Sequence, residues 1–113
     1  MKLNHYTEIE EAEVGDPAKD VKVRWLITEE MGAPNFAMRK FTVAPGGYTP
    51  KHVHPWEHET YIESGGGVVF GNGKENAIKP GDVIYVPSDE EHQFRNTGSE
   101  DLVFLCLIPH QKK

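Results

Sequence analysis

Three histidines, His52, His54 and His58, fall within Lys51 to Gly67, KHVHPWEHETYIESGGG, beside Trp56 and the carboxylates of Glu57, Glu59 and Glu63. Neutral imidazole is the commonest protein ligand for transition metals. In an extended chain alternate side chains share a face, so His52 and His54 present two rings on one side, with Cα atoms roughly 6.6 Å apart. A turn through Pro55-Trp56-Glu57 can bring the chain back so that either His58 or Glu59 supplies a third donor. Parity favours His58. If it faces inward, Thr60 and Ile62 follow it and Glu59, Tyr61 and Glu63 point away, whereas the opposite register buries Glu59 with Glu63 and expels Ile62. Burying a second unpaired carboxylate is costly. A fourth histidine, His92, stands in another patterned segment, PGDVIYVPSDEEHQFRN.

Such donors need rigid elements to hold them, and the chain reads as all-β. VKVRWLIT (21–28), FAMRKFTV (36–43), TYIES (60–64), GVVFG (67–71), DVIYVP (82–87) and LVFLCLI (102–108) are rich in β-branched and aromatic residues. Turn residues punctuate them: APGG (44–47), GNGK (71–74), KPGD (79–82) and NTGSED (96–101), with Asn72-Gly73 the strongest hairpin signal. Many short strands at this spacing predict a sandwich or barrel. No helical periodicity, internal repeat or linker interrupts them, and the acidic stretch EIEEAEVGDPAKD is expected to be a solvated loop.

A chain of 113 residues suits one domain. Its 12 Lys and Arg against 18 Asp and Glu, with no basic run, argue against a nucleic-acid or anionic-membrane partner. The N-terminus MKLNHYTEIEEAEVG has no apolar core of signal-peptide length and no window suits a membrane span, so a cytoplasmic location is expected. The single cysteine, Cys106, excludes an intramolecular disulfide and fits a reducing compartment.

The two histidine segments carry a family resemblance. From Gly46 the order is Gly, five residues, His52-x-His54, three residues, His58, six residues, Gly65; it resembles the first cupin motif, with histidine where Glu is usual. Gly81, five residues, Pro87-x-Asp89, two residues, His92, three residues, Asn96 is similar to the second motif. APNFAMRKFTVAPGG, HPWEHE and FRNTGSEDLVFLCLIP further resemble a compact manganese-binding cupin whose metal is held by four histidines. The resemblance implies a double-stranded β-helix, or jelly-roll barrel, usually dimeric, with one metal held by His52, His54, His58 and His92. It covers about Phe36 to Pro109. On this reading residues 35–110 form the metal-binding barrel, and residues 1–34 supply N-terminal strands and the acidic loop that complete the barrel or dimer edge. Two departures stand out. Asp89 occupies a usual glycine position, tolerable because Asp visits left-handed turns readily, and Glu59, counted to Gly66, fits a variant spacing of the first motif.

Four neutral imidazoles leave the charge of a divalent ion uncompensated and, on a six-coordinate metal, two positions open. Manganese is favoured by resemblance, while nitrogen-only ligation would suit iron, copper, nickel or zinc better. Parity places Ala37, Arg39, Phe41 and Val43 on one face, so Arg39 enters the barrel, either to bind an anionic substrate or to pair with a carboxylate at its edge. On the last strand Phe104, Cys106 and Ile108 are expected to border the metal's open face, with Cys106 either an inert core thiol or one exposed to self-oxidation. Trp56 is read as a gate at the mouth or as simple packing, and His5 and His110 as surface residues. The expected activity is that of a metal-dependent oxidoreductase, a dioxygenase or peroxide user, acting on a small organic substrate. The alternatives are a non-catalytic sugar- or carboxylate-binding or sensing protein, or a cupin isomerase or decarboxylase.

Overall fold

The computed structural model describes residues 1–111 and is all-β, a jelly-roll barrel formed by one curled antiparallel sheet. Its strands are β1 (Glu11–Glu13), β2 (Lys19–Ile27), β3 (Phe36–Tyr48), β4 (His58–Ser64), β5 (Gly67–Gly71), β6 (Lys74–Ile78), β7 (Val83–Val86), β8 (Gln93–Arg95) and β9 (Leu102–Pro109). Their order is β6-β5-β8-β3-β9-β4-β7, with β2 on the other side of β3 and β1 on β2. Two short 3₁₀ turns, Tyr6–Glu8 and Glu29–Met31, are the only helical elements among the described residues. No helix there is long and apolar enough to cross a membrane.

The strands at 36–43, 60–64, 67–71 and 102–108 form where composition and turn chemistry place them. Three features differ from expectation. The acidic stretch is not all loop, since Glu11–Glu13 pairs with β2 through Ala12↔Val23; its side chains are all exposed, so backbone pairing alone makes it a strand. Ala44-Pro45-Gly46-Gly47 does not end β3. The strand runs on to Tyr48, passing from Val43, paired with Val21 and Leu102, to Tyr48, paired with Lys19 and Arg95. Gly46 takes φ 81°, and a Cβ on Gly47 would meet the Lys19 carbonyl oxygen at 2.6 Å, so the bend needs glycine at both places. Polar β6 arises as the return arm of the Asn72-Gly73 hairpin, both of whose residues have positive φ.

This bend carries β3 between the two faces of the barrel, and Asn96 pins it. Buried at 3 % exposure, Asn96 donates through Nδ2 to the Val43 carbonyl (2.8 Å) and the Glu100 carbonyl (2.7 Å), and its Oδ1 accepts from the Gly98 amide (2.9 Å). Its backbone also exchanges hydrogen bonds with Gly46 and Gly47. Around this corner the core packs Val43, Ile62, Leu102 and Phe104, with the Phe104 ring stacked between Phe41 and Phe94 at 5.3 and 4.5 Å. The N-terminal segment is integral to the barrel, since β2 pairs along most of β3 and Val21 is buried in the same core.

Asn96→Ala removes three hydrogen bonds and leaves buried backbone groups unpaired. It should cost about 2–4 kcal/mol, read as a lower urea midpoint of metal-free protein; a loss under about 1 kcal/mol would show that the corner holds without this side chain.

Candidate metal centre

Two loops and the start of β4 bring the four histidines together. His52 and His92 face each other across an isolated antiparallel bridge, the His52 amide donating to the His92 carbonyl at 3.2 Å and the His92 amide to the His52 carbonyl at 3.1 Å. Residues opposed in this way project their side chains to the same face. Asp89, in a left-handed conformation (φ 66°), donates its amide to the His54 carbonyl at 2.9 Å and so ties the His54 loop to the one carrying His92. His58 opens β4 with burial alternating inward at His58, Thr60 and Ile62, while Glu59 is exposed on the opposite face.

The rings converge. Centroids lie 4.9 Å apart for His52–His54, His52–His92 and His58–His92, and 5.0 Å for His54–His92. Donor atoms of His52, His54 and His92 all lie within 4.8 Å of one another. His58 stands outside that trio yet beside it, its Nε2 2.6 Å from His54 Nε2. Exposure is graded, with His52 open to solvent, His54 half-buried and His58 and His92 buried.

Hydrogen bonds set the tautomers. A carbonyl only accepts, so His92 Nδ1 donates to the Glu90 carbonyl (2.8 Å) and His54 Nδ1 to the Trp56 carbonyl (3.1 Å). Both rings therefore present a bare Nε2, and that of His92 is buried without any partner. Metal-bound histidines are typically held in this way through the other ring nitrogen. An orphaned, buried lone pair beside neighbouring imidazole nitrogens fits a cation of the borderline-soft kind.

Electrostatics point the same way. Partial burial of its ring, then His92, His54 and Arg39, hold His52 down at about 4, although much of the residue faces solvent. Burial, then Arg39 and the other histidines, hold His58 at about 3. Burial and then His92 lower His54 as well. These three rings are thus neutral near neutrality, the state in which imidazole can ligate a metal.

Beside the rings lies a cavity of about 140 Å³, lined by His52, His58 and His92 and by Arg39, Phe104 and Cys106 among others. Its volume equals about four or five waters at the bulk share of each. Arg39 enters as parity predicts, with its guanidinium over Trp25 (5.2 Å) and Phe41 (4.8 Å) and Nη2 donating to Cys106 Sγ at 3.2 Å. Its Nε is buried and unpartnered, and among the described residues no carboxylate pairs with it. Of the two readings of Arg39, the edge ion pair is therefore absent.

Ile108 and Trp56 lie elsewhere. Ile108 is core and borders a separate surface groove with Phe36 and Pro109, because the cross-strand pair Ala37↔Ile108 sits at the far end of β9. Trp56 is not part of the cavity lining; its ring stacks on His54 at 4.2 Å and 7°, so it braces that ring. Cys106 is 2 % exposed and burial pushes its thiol up, so neither access nor thiolate character favours the peroxide oxidation considered from sequence. His110 is half-buried, not a free surface residue, with Nε2 2.7 Å from the Ala33 carbonyl. Sequence reasoning missed the contact between His58 Nδ1 and Cys106 Sγ at 3.0 Å. The pairing Thr60↔Cys106, beside His58, carries that signal only once register is known.

Comparison with known proteins adds a family and three relatives. The Cupin domain family matches residues 39–108. An oxalate-binding protein of Thermotoga maritima is 43 % identical over 93 residues, spanning 79 % of this chain and 75 % of its own length. The polyketide cyclase RemF of Streptomyces resistomycificus superposes with a TM-score of 0.92 at 34 % identity, over 98 % of this chain and 80 % of that one. A predicted oxalate decarboxylase of Thermotoga maritima does so with a TM-score of 0.85 at 31 % identity, over 97 % of this chain and 100 % of that one.

Two outcomes test the centre. His58→Gln should lose most of the bound metal while Glu59→Gln keeps it, by metal analysis after dialysis; the reverse would place the carboxylate in the cluster. Metal-free protein should also be acid-sensitive. Because His52 and His58 titrate lower folded than at the ordinary 6.5, the unfolded chain binds more protons below that value. Their stabilisation is complete above pH 6.5 and is lost as pH falls through about 4 and then about 3. Urea midpoints that stay level between about pH 7 and about pH 4 would contradict this.

Proposed function

The chain belongs to the cupin family, and from that premise we propose that it is a metal-dependent oxidoreductase, using dioxygen or peroxide on a small organic acid. His52, His54, His58 and His92 would hold one divalent transition metal, manganese before iron, copper, nickel or zinc, which supplies Lewis acidity and, where redox-active, electrons. The ranking of manganese rests on the resemblance to four-histidine manganese cupins.

The observation that carries the substrate class is Arg39. A guanidinium with a buried, unpartnered Nε, in a cavity where no carboxylate balances it, is a ready counter-ion for a small anion. Phe41, Phe94 and Phe104 keep the rest of the wall apolar, which excludes water and strengthens that attraction. The small volume favours an acid of a few carbon atoms. The same lining offers no carboxylate as a general acid or base, so isomerisation by proton transfer is poorly served. Binding without turnover is the second reading, favoured by that lack and by similarity to a protein named for binding oxalate. A homodimer is part of the same proposal, supported by Tyr61, Val83 and Tyr85, exposed on the outer face of β4 and β7; light scattering tests it.

Oxalate and related small acids should bind manganese-loaded protein, and Arg39→Gln should weaken that binding about tenfold or more, with metal content unchanged in titration calorimetry. Oxygen uptake on adding one of these acids would establish turnover, and binding without uptake or peroxide consumption would select the second reading. Equal anion affinity in the Arg39 variant would remove the substrate class.

A further inference from the structure

We propose that Cys106 is a positioning residue that couples the metal ligand His58 to the anion-binding Arg39. The inference rests on the function proposed above and deepens it. Cys106 Sγ lies 3.0 Å from His58 Nδ1 and 3.2 Å from Arg39 Nη2, so one atom touches both halves of the site. It lines the same cavity as His92, whose Nε2 is buried without a partner.

A thiol suits this place because it both donates and accepts. Arg39 only donates, so Sγ accepts from it. His54 Nε2 is bare, so in metal-free protein the short His58–His54 contact requires His58 Nε2 to carry the proton; His58 Nδ1 is then bare and receives the Cys106 S–H. When His58 Nε2 instead faces a cation, the single ring proton moves to Nδ1 and is donated to Sγ. The thiol keeps its own hydrogen, which rotates away, and no proton is gained or lost. Cys106 therefore has a hydrogen bond to offer His58 in both states, while accepting from Arg39 throughout. At 2 % exposure it is shielded from solvent, so its hydrogen bonds go to these neighbours and not to water. Thr60, its cross-strand neighbour, has a buried hydroxyl with no hydrogen-bond partner of its own and offers an acceptor toward which the S–H can turn.

The test compares Cys106→Ser, which keeps a donor and acceptor, with Cys106→Val, which keeps bulk and loses both. Manganese affinity, oxalate affinity of the manganese-loaded protein and melting of metal-free protein are measured for each, alone and with Arg39→Gln. Cys106→Val should weaken manganese binding about tenfold, the effect typical of losing a ligand's outer partner, and oxalate binding as well. Cys106→Ser should stay within about threefold of wild type for both. With Arg39 already Gln, adding Cys106→Val should cost oxalate affinity little more, the non-additivity expected of groups acting through one another. Three results would overturn the proposal: Cys106→Val matching wild type, Ser and Val variants equally impaired with lowered melting, which assigns the residue to packing, or strictly additive losses. Wild-type protein that takes up no manganese would instead overturn the proposed function, and this inference with it.

Discussion

Two backbone hydrogen bonds between His52 and His92 hold the centre in register. They join the loop after β3 to the loop before β8, alongside the Asp89–His54 bond and the Thr49 amide, which reaches the Phe94 carbonyl in β8. Everything around the site follows from keeping that bridge in place. The bend in β3 brings the first loop over the barrel, and Asn96, four residues beyond His92 and just past β8, fastens that bend to the end of β8. His58 joins from β4, whose register against β7 and β9 fixes which side chains face inward.

The electrostatic character of the cavity is opposed to that of the chain as a whole. The protein carries a formal charge of −6, yet the described residues lining the cavity include a single charged side chain, Arg39, and no carboxylate. Imidazoles and aromatic rings of this lining would give a divalent ion and an anion complementary places side by side. Low dielectric surroundings strengthen their mutual attraction and penalise either alone. In the proposed function metal and anion binding would therefore reinforce one another.

What sequence alone could reveal followed the strength of local constraint. His52-x-His54, His58 and Arg39 are legible because strand parity admits few alternatives where one face is buried, and Asp89 was legible as a left-handed turn. Strand β1 was not, since Glu11, Ala12 and Glu13 bury nothing and owe their conformation to an edge partner distant in sequence. Ala44 to Gly47 looks like a turn because bends and turns draw on the same residues; only pairing on both sides shows that the strand continues. Ile108 shares the parity of Phe104 and Cys106, but parity says which face a residue occupies and not how far along the barrel axis it lies. Trp56 stacks on His54 through a loop geometry that no periodicity encodes.

The central claim is that four imidazoles, and no carboxylate, surround one metal. X-ray absorption at the metal edge of manganese-loaded protein measures this directly, since imidazole rings give multiple-scattering features that carboxylates lack. The arrangement of His52, His54, His58 and His92 predicts four such rings, falling to three in His58→Gln at whatever metal occupancy remains. Three rings with a carboxylate in the wild-type protein, or a pattern unchanged by His58→Gln, would contradict it.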